Sequence, residues 1–248
     1  MAADCENISP YSNEPGEDKT RQVRRMFDSI APAYDLMNSL MSFGLHKRWL
    51  RKAVKAVAAA RPGNVLDVAT GTADVSIALA RSIESAEITG IDLSEGMIEI
   101  GRKKVEAAGL DPRIRLMQAD CLALPFDADS FDAVTVAYGV RNFQDLLAGY
   151  KEMHRVMRPG ATLTVIELST PQSAIVRPFY NFYSGCIIPL VGRMVSRDIS
   201  AYRYLPRSIA AVPQGTAMTD LMAEAGFVDT SFRPLTFGTV TIYRARKA

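Results

Sequence analysis

The sequence predicts an α/β protein: a mostly parallel seven-stranded sheet with helices on both faces and a helical insertion before its last elements. Three observations carry that prediction. Short apolar runs alternate with helical periods from residue 64 to residue 168, the pattern of parallel strands joined by crossover helices. The alternation breaks over 171–212, an aromatic, proline-punctuated, amphipathic stretch, and then resumes. The 248 residues are 48% hydrophobic and 23% charged, enough to bury a large core without disulfides or structural metal.

The elements follow in order. Residues 1–18 are polar and rich in proline, glycine and acids, and read as a disordered tail before a single domain over 19–248. From Lys19, Val23, Met26, Phe27 and Ile30 make one apolar helical face, which Pro32 interrupts. An alanine-rich helical stretch over 45–60 ends at Pro62-Gly63 and completes the N-terminal helical segment, 19–60. Asn64–Val68 reads as a buried strand, Ala73–Arg81 as a helix and Ala86–Ile91 as a strand. Ser94 starts a helix with Met97, Gly101, Val105 and Ala108 on one face. Ile114–Met117 and Phe131–Ala137 read as strands, Leu146–Met157 as a helix stopped by Pro159-Gly160, and Ala161–Ile166 as the fifth strand. After the insertion, Thr216–Ala225 is helical, and Phe227–Phe232 and Thr239–Arg244 are strands suited to antiparallel pairing at the sheet edge.

Composition excludes several functions. With 29 basic and 27 acidic residues the net charge is +2, which does not fit the clustered basic field of a nucleic-acid binder. Cys5, Cys121 and Cys186 are far apart and the only histidines are His46 and His154, so no metal site is expected. Reduced thiols, an N-terminus without an apolar signal core and no apolar run of membrane-spanning length suggest a cytoplasmic protein.

The first chemical signal is VLDVATGTAD, residues 65–74: a strand ends at Asp67, turns through Thr70, Gly71 and Thr72, and opens a helix. A full G-x-G-x-x-G is absent, so a dinucleotide site is poorly supported. The next strand ends at Asp92, whose two carboxylate oxygens suit the hydroxyls of a ribose. Asp120 tops a third strand beside Cys121, placed to meet an adenine, and Ala137 ends a fourth. Acids on three successive strand tips point to a bound nucleoside.

This run, roughly residues 45–168, resembles the class I methyltransferases, which have a Rossmann-like fold and use S-adenosyl-L-methionine. The resemblance implies that the Asp67–Thr72 turn holds the amino-acid part of that cofactor, Asp92 its ribose, and Asp120 and Cys121 its adenine. One departure is Ala73, where glycine is usual in the GTGD pattern. Two further segments, YDLMNSLMSFGLHKRWL at 34–50 and RVMRPGATLTVIELS at 155–169, resemble the quinone C-methyltransferase family. RYLPRS at 203–208 and Arg141-Asn142 in YGVRNF also fit it, with Arg158 and Ala161 as small departures. The resemblance implies a prenylated quinol acceptor, demethylmenaquinol or a ubiquinone precursor.

Carbon methylation requires a deprotonated ring hydroxyl, in-line placement and exclusion of water. Arg141 suits a phenolate, and Asn142 suits a water or hydroxyl, a water shared with Asp120 among them; pairing of Arg141 with a surface acid such as Asp145 is the plainer alternative. His46 has a pKa suited to proton transfer, or it simply caps its helix. Tyr34, Asp35, Met37 and Asn38 are candidates for the substrate entrance, Met37 and Met41 equally for core packing. Tyr202, Arg203 and Tyr204 are candidates for the quinol head. The insertion carries Phe179, Tyr180, Phe182, Tyr183, Ile187, Ile188, Leu190, Val191 and Met194, flanked by Arg177, Arg193 and Arg197. Such a surface suits a prenyl tail, peripheral contact with a bilayer, a packed lid or a homodimer contact.

Overall fold

Burial along each strand dictates its place in the sheet. β1 (Asn64–Val68) and β4 (Phe131–Ala137) are buried almost throughout and lie at the centre. β3 (Ile114–Gln118) and β6 (Phe227–Leu235) alternate with exposed residues and form the two edges. β2 (Glu87–Asp92), β5 (Met157–Leu168) and β7 (Val240–Lys247) complete seven strands in the order β3-β2-β1-β4-β5-β7-β6. All neighbouring pairs from β3 to β5 are parallel, and β7 runs antiparallel to both β5 and β6. The fold is therefore the expected one, antiparallel edge included. The computed structural model describes residues 4–11, 17–187 and 199–248.

The N-terminal helices are α1 (Lys19–Ile30), α2 (Tyr34–Met41) and α3 (His46–Ala58). The crossover helices are α4 (Asp74–Ser82), α5 (Glu95–Ala107) and α6 (Leu146–Val156). Ser94 caps α5 as expected, its hydroxyl accepting from Met97 N at 3.1 Å. Asp145 caps α6 in the same way, accepting from Ala148 N at 2.8 Å. β5 begins earlier than proline and glycine suggest: Met157 already pairs with Phe131, and a register shift absorbs Pro159-Gly160 before Thr162 pairs with Ala133.

The insertion contains α7 (Val176–Phe182), a single π-helical turn at Tyr183–Ile187, and α8 (Ile199–Ala211). The expected contributions of Ile188, Leu190, Val191, Arg193, Met194 and Arg197 lie outside the described residues. α9 (Thr216–Glu224) leads into β6. No helix among the described residues is long and apolar enough to cross a membrane.

The expectation of a disordered tail needs correction at its start. Asp4–Asn7 form a turn of 3-10 helix, and Cys5 is fully buried in the main core with Leu146, Tyr150 and Val140. The turn is held by Lys19, whose ammonium donates to the Cys5 carbonyl at 2.7 Å, and by Glu6, which accepts from Leu146 N at 2.9 Å.

One close approach ties the sheet to the loop above it. A Cβ at Gly90 would lie 2.6 Å from Leu116 Cδ2 and 2.9 Å from Thr70 Oγ1. Gly90→Ala should therefore destabilise the fold by about 1–3 kcal/mol, read as a lowered denaturation midpoint at unchanged slope.

Candidate active site

The loop after β1 is shaped by one buried carboxylate. Asp67 is fully buried, and its Oδ2 accepts from the hydroxyls of Thr70 and Ser76, each at 2.7 Å. Its Oδ1 accepts from Thr135 Oγ1 on β4 at 2.9 Å. Burial raises the Asp67 pKa against the lowering by these hydroxyls. With its oxygens so engaged, Asp67 lines neither cavity described below and supports the loop from beneath. The backbone it holds is left-handed at Ala69, Gly71 and Ala73, with φ of 53°, 56° and 66°. Glycine adopts this freely; the alanine at Ala73 carries a cost of about 1–2 kcal/mol, the physical content of that departure from GTGD.

The loop presents Gly71 N to Asp92. Asp92 Oδ2 accepts that N–H at 2.9 Å and Oδ1 accepts from Ser94 N at 2.9 Å. Burial nevertheless pushes the Asp92 carboxyl up to about 6. Asp92 borders a cavity of about 60 Å³ with Asp120 and Cys121, and Ile91, Met97 and Phe143 give it apolar walls. Asp120 Oδ1 accepts from Leu122 N at 2.9 Å, and Cys121 is buried. Thr20, Val23 and Phe27 of α1 form its roof. α1 is clamped across it: Thr20 bonds Gln144, and Asp28 accepts from Ser94 Oγ at 2.6 Å and Gly96 N at 3.1 Å.

A second cavity, about 330 Å³ and mostly apolar, opens beside the first. Thr70, Gly71, Thr72 and Ala137 line it from the sheet, Tyr34, Asn38 and His46 from the N-terminal helices, and Tyr180 and Tyr202 from the insertion. Two expected contacts are absent: Arg203 is exposed, and Asp35 is engaged by Lys104 Nζ at 2.8 Å and Thr72 Oγ1 at 2.7 Å. Met37 both lines the cavity and packs in the core.

Arg141 meets neither Asp145 nor the surface. It is buried, and its Nη1 pairs with the buried Glu167 Oε1 at 2.8 Å while also donating to the Tyr138 carbonyl. Burial opposes the guanidinium charge, and Glu167 together with Tyr34 and Tyr204 more than restores it, so its pKa is raised. Asn142 lies beside it, its amide donating to the same carbonyl at 3.4 Å and its Oδ1 accepting from Tyr204 OH at 3.1 Å. Asn142 and Asp120 border the smaller cavity and Arg141 the larger, so the three do not share one wall.

His46 opens α3. Ser42 Oγ donates to Asn38 O at 2.6 Å and lies 2.8 Å from His46 Nδ1. With the hydroxyl proton committed to the carbonyl, Nδ1 carries the imidazole proton and Nε2 the lone pair. Burial lowers the His46 pKa and favours the neutral ring.

Sequence reasoning missed Glu167, Lys19 and Tyr138. Glu167 had a signal, an acid inside the apolar run TVIEL. Lys19 had none: its three ammonium protons go to the carbonyls of Cys5, Arg141 and Phe143 at 2.7, 3.2 and 2.9 Å, the last two more than 120 residues away. Burial lowers its pKa to about 8. Replacing Glu167 alone leaves Arg141 buried without a counter-charge, so Glu167→Gln should cost roughly 3–5 kcal/mol in a denaturant titration.

Comparison with known proteins agrees with this architecture. The model of the ubiE/COQ5 methyltransferase family matches residues 16–247. The chain is 47% identical to a demethylmenaquinone methyltransferase of Porphyromonas gingivalis over 98% of each chain. It is 44% identical to a ubiquinone/menaquinone biosynthesis C-methyltransferase of Geobacter sulfurreducens, over 93% of this chain and 90% of that one. Among solved structures, an S-adenosylmethionine-dependent methyltransferase of Thermotoga maritima superposes with a TM-score of 0.64 at 18% identity, covering 90% of this chain and 99% of that one, a likeness of fold. A match of the family model along nearly the whole chain, on the expected sheet and with the two adjoining cavities, places this protein in the ubiE/COQ5 methyltransferase family.

Proposed function

We propose that this protein methylates a ring carbon of a demethylated prenyl-quinol, converting demethylmenaquinol to menaquinol. The observation that carries the reading is the meeting of two unlike cavities. One is a narrow slot bordered by the Asp92 and Asp120 carboxylates, and the other is wide, apolar and edged by Arg141. The residues present fit S-adenosylmethionine: Asp92 would hold the ribose, Asp120 and Cys121 would border the adenine, and Gly71, shared by the two cavities, would face the amino-acid end with Thr72 beside it in the larger one. When bound, S-adenosylmethionine supplies a methyl group on a sulfonium, whose S–C bond breaks with its electron pair as the ring carbon forms the new C–C bond. The names of the relatives in Porphyromonas and Geobacter support the acceptor, and the Geobacter name keeps a ubiquinone precursor as the second reading.

The chain's residues have separable tasks. The quinol hydroxyl must lose its proton so that charge reaches the ring carbon; the neutral His46 ring is the acceptor that the cavity offers. Arg141 stabilises the resulting oxyanion, held in place by Glu167. C–C bond formation leaves that oxygen as a ring carbonyl; the ring carbon then releases its hydrogen as a proton and the same oxygen takes a proton back from His46, restoring the hydroquinone, so one proton leaves overall. Apolar walls from Met37, Trp49 and Leu168 exclude water.

Peripheral contact with a bilayer belongs to the same proposal. Phe43 edges the larger cavity and is 80% exposed, and Phe179, Phe182 and Phe237 are also exposed. A prenyl tail leaving the cavity would meet that apolar rim.

Methyl transfer from labelled S-adenosylmethionine to a short-tailed demethylmenaquinone tests the function directly. Product is expected with dithionite and not without it. No product in either state, with the cofactor still bound, would overturn the acceptor. The Asp92 pKa gives a second test. A carboxylate titrating near 6 is ionised above that pH, so the Kd for S-adenosylmethionine should rise about tenfold from pH 7 to pH 5. The sign for folding is opposite. A pKa raised from 3.8 to about 6 makes the folded state hold its proton more tightly, so acid does not destabilise the fold through this group. Asp92→Asn should bind weakly at both pH values and lose the pH dependence, measured by calorimetry.

A further inference from the structure

Among the described residues, six line both cavities: Phe27, Tyr34, Ala69, Gly71, Ala137 and Tyr138. They mark the junction that a transferred methyl must cross. Only the two tyrosines carry a polar side-chain atom there. Tyr34 hydrogen-bonds Asn38 one turn along α2. Among the described residues, the Tyr138 hydroxyl and Arg141 Nε are both buried without a hydrogen-bond partner, and Arg141 lines the larger cavity. Buried polar atoms in folded proteins are nearly always paired, so one orphan at the junction and a second on a residue lining the larger cavity ask for a ligand atom.

The backbone says the same. Tyr138 sits at φ 57°, a left-handed conformation that a bulky residue rarely adopts. Three contacts hold it there. Its N–H donates to Ile166 O at 2.8 Å, and its carbonyl accepts from Arg141 Nη1 and from Asn142 Nδ2. One of the residues that strain Tyr138 is thus Arg141, the proposed partner of the oxyanion. Strain that the surroundings over-determine concentrates at functional positions. Burial, with the Glu167 charge nearby, pushes the phenol far above its usual range, so Tyr138 stays protonated and serves as a donor, not a base.

Building on the quinol reading above, we propose that Tyr138 is a catalytic residue whose hydroxyl, with Arg141 Nε, donates a hydrogen bond to the ring oxygen of the bound hydroquinone as it becomes an oxyanion. The ligand class is a phenolate oxygen on a flat ring. Two donors, one neutral and one cationic, then converge on that single atom.

The test is Tyr138→Phe, which keeps the ring and removes only the hydroxyl. Because that hydroxyl has no partner among the described residues, the variant should be at least as stable as the parent by thermal melt. Its kcat with reduced short-tailed demethylmenaquinone should fall roughly 100-fold, while the Kd for S-adenosylmethionine stays within about twofold. A readout free of turnover is the absorbance titration of 1-naphthol bound with S-adenosylhomocysteine. The parent should depress the naphthol pKa, and the variant should return it by about one unit towards the free value. Unchanged kcat and an unchanged naphthol titration would overturn the assignment and leave Tyr138 as wall packing. A loss of activity matched by lost S-adenosylmethionine affinity would also overturn it, making Tyr138 a cofactor contact. A parent protein that binds S-adenosylmethionine but neither methylates the quinol nor binds naphthol would overturn the quinol reading itself, and Tyr138's role with it.

Discussion

The site hangs from the Asp67 carboxylate, a charge buried at the end of the central strand. Three hydroxyls converge on it from the following loop, from α4 and from the neighbouring strand. An isolated carboxylate in that position would be very costly, and the hydroxyls are what make it tolerable. Their geometry leaves the loop little freedom. Thr70 and Ser76 must face inward, so the chain between them takes left-handed turns and Gly71 N emerges towards Asp92. Thr72 then meets Asp35, and Lys104 joins Asp35, Thr72 and Asp74 into one cluster. One buried acid thus sets the position of a second acid at the smaller cavity and, through Thr72 and Asp35, anchors α2 to the loop.

A second buried charge organises the other side. A buried ion pair such as Arg141–Glu167 adds little net stability, since desolvation offsets most of the attraction. What it supplies is placement. Glu167 fixes the guanidinium through Nη1 and also accepts from Arg141 N at 3.3 Å and Leu168 N at 2.8 Å. Lys19 closes the same loop from outside through the carbonyls of Arg141 and Phe143. The N-terminal turn at Cys5 and the loop carrying Arg141 are therefore one unit, joined by an ammonium whose three protons are all used.

Much of this was legible in the sequence, and the limits have physical causes. Strand and helix alternation is local, so the order of elements, the Ser94 cap and the antiparallel edge could be read directly. The acids on strand tips were also visible, because a parallel sheet puts its strand ends in one row. Their roles were not equally visible. Asp67 and Asp92 look alike in sequence, yet one is saturated by hydroxyls, including Thr135 from 68 residues away, and the other faces a cavity. No periodicity encodes such a partner. Arg141 was legible as a functional candidate, but its partner Glu167 fell just past the strand read as Ala161–Ile166, which in fact continues through it to Leu168. The docked Asp4–Asn7 turn escaped because its composition is polar, and its anchor is a single buried cysteine plus contacts made by Lys19.

The distribution of charge about the junction follows from these placements and suits the proposed chemistry. The smaller cavity is bordered by carboxylates, matching a cationic donor; the larger holds a guanidinium, matching an acceptor that becomes anionic. A bare arginine at the boundary would repel the donor. Glu167 cancels much of its long-range field in the dry interior while Nε keeps its N–H without a partner among the described residues. A neutral donor such as Tyr138 adds to the second effect without reviving the first. Pairing the cation behind the site and presenting unpaired N–H and O–H groups in front reconciles two opposite charges within one enclosed space.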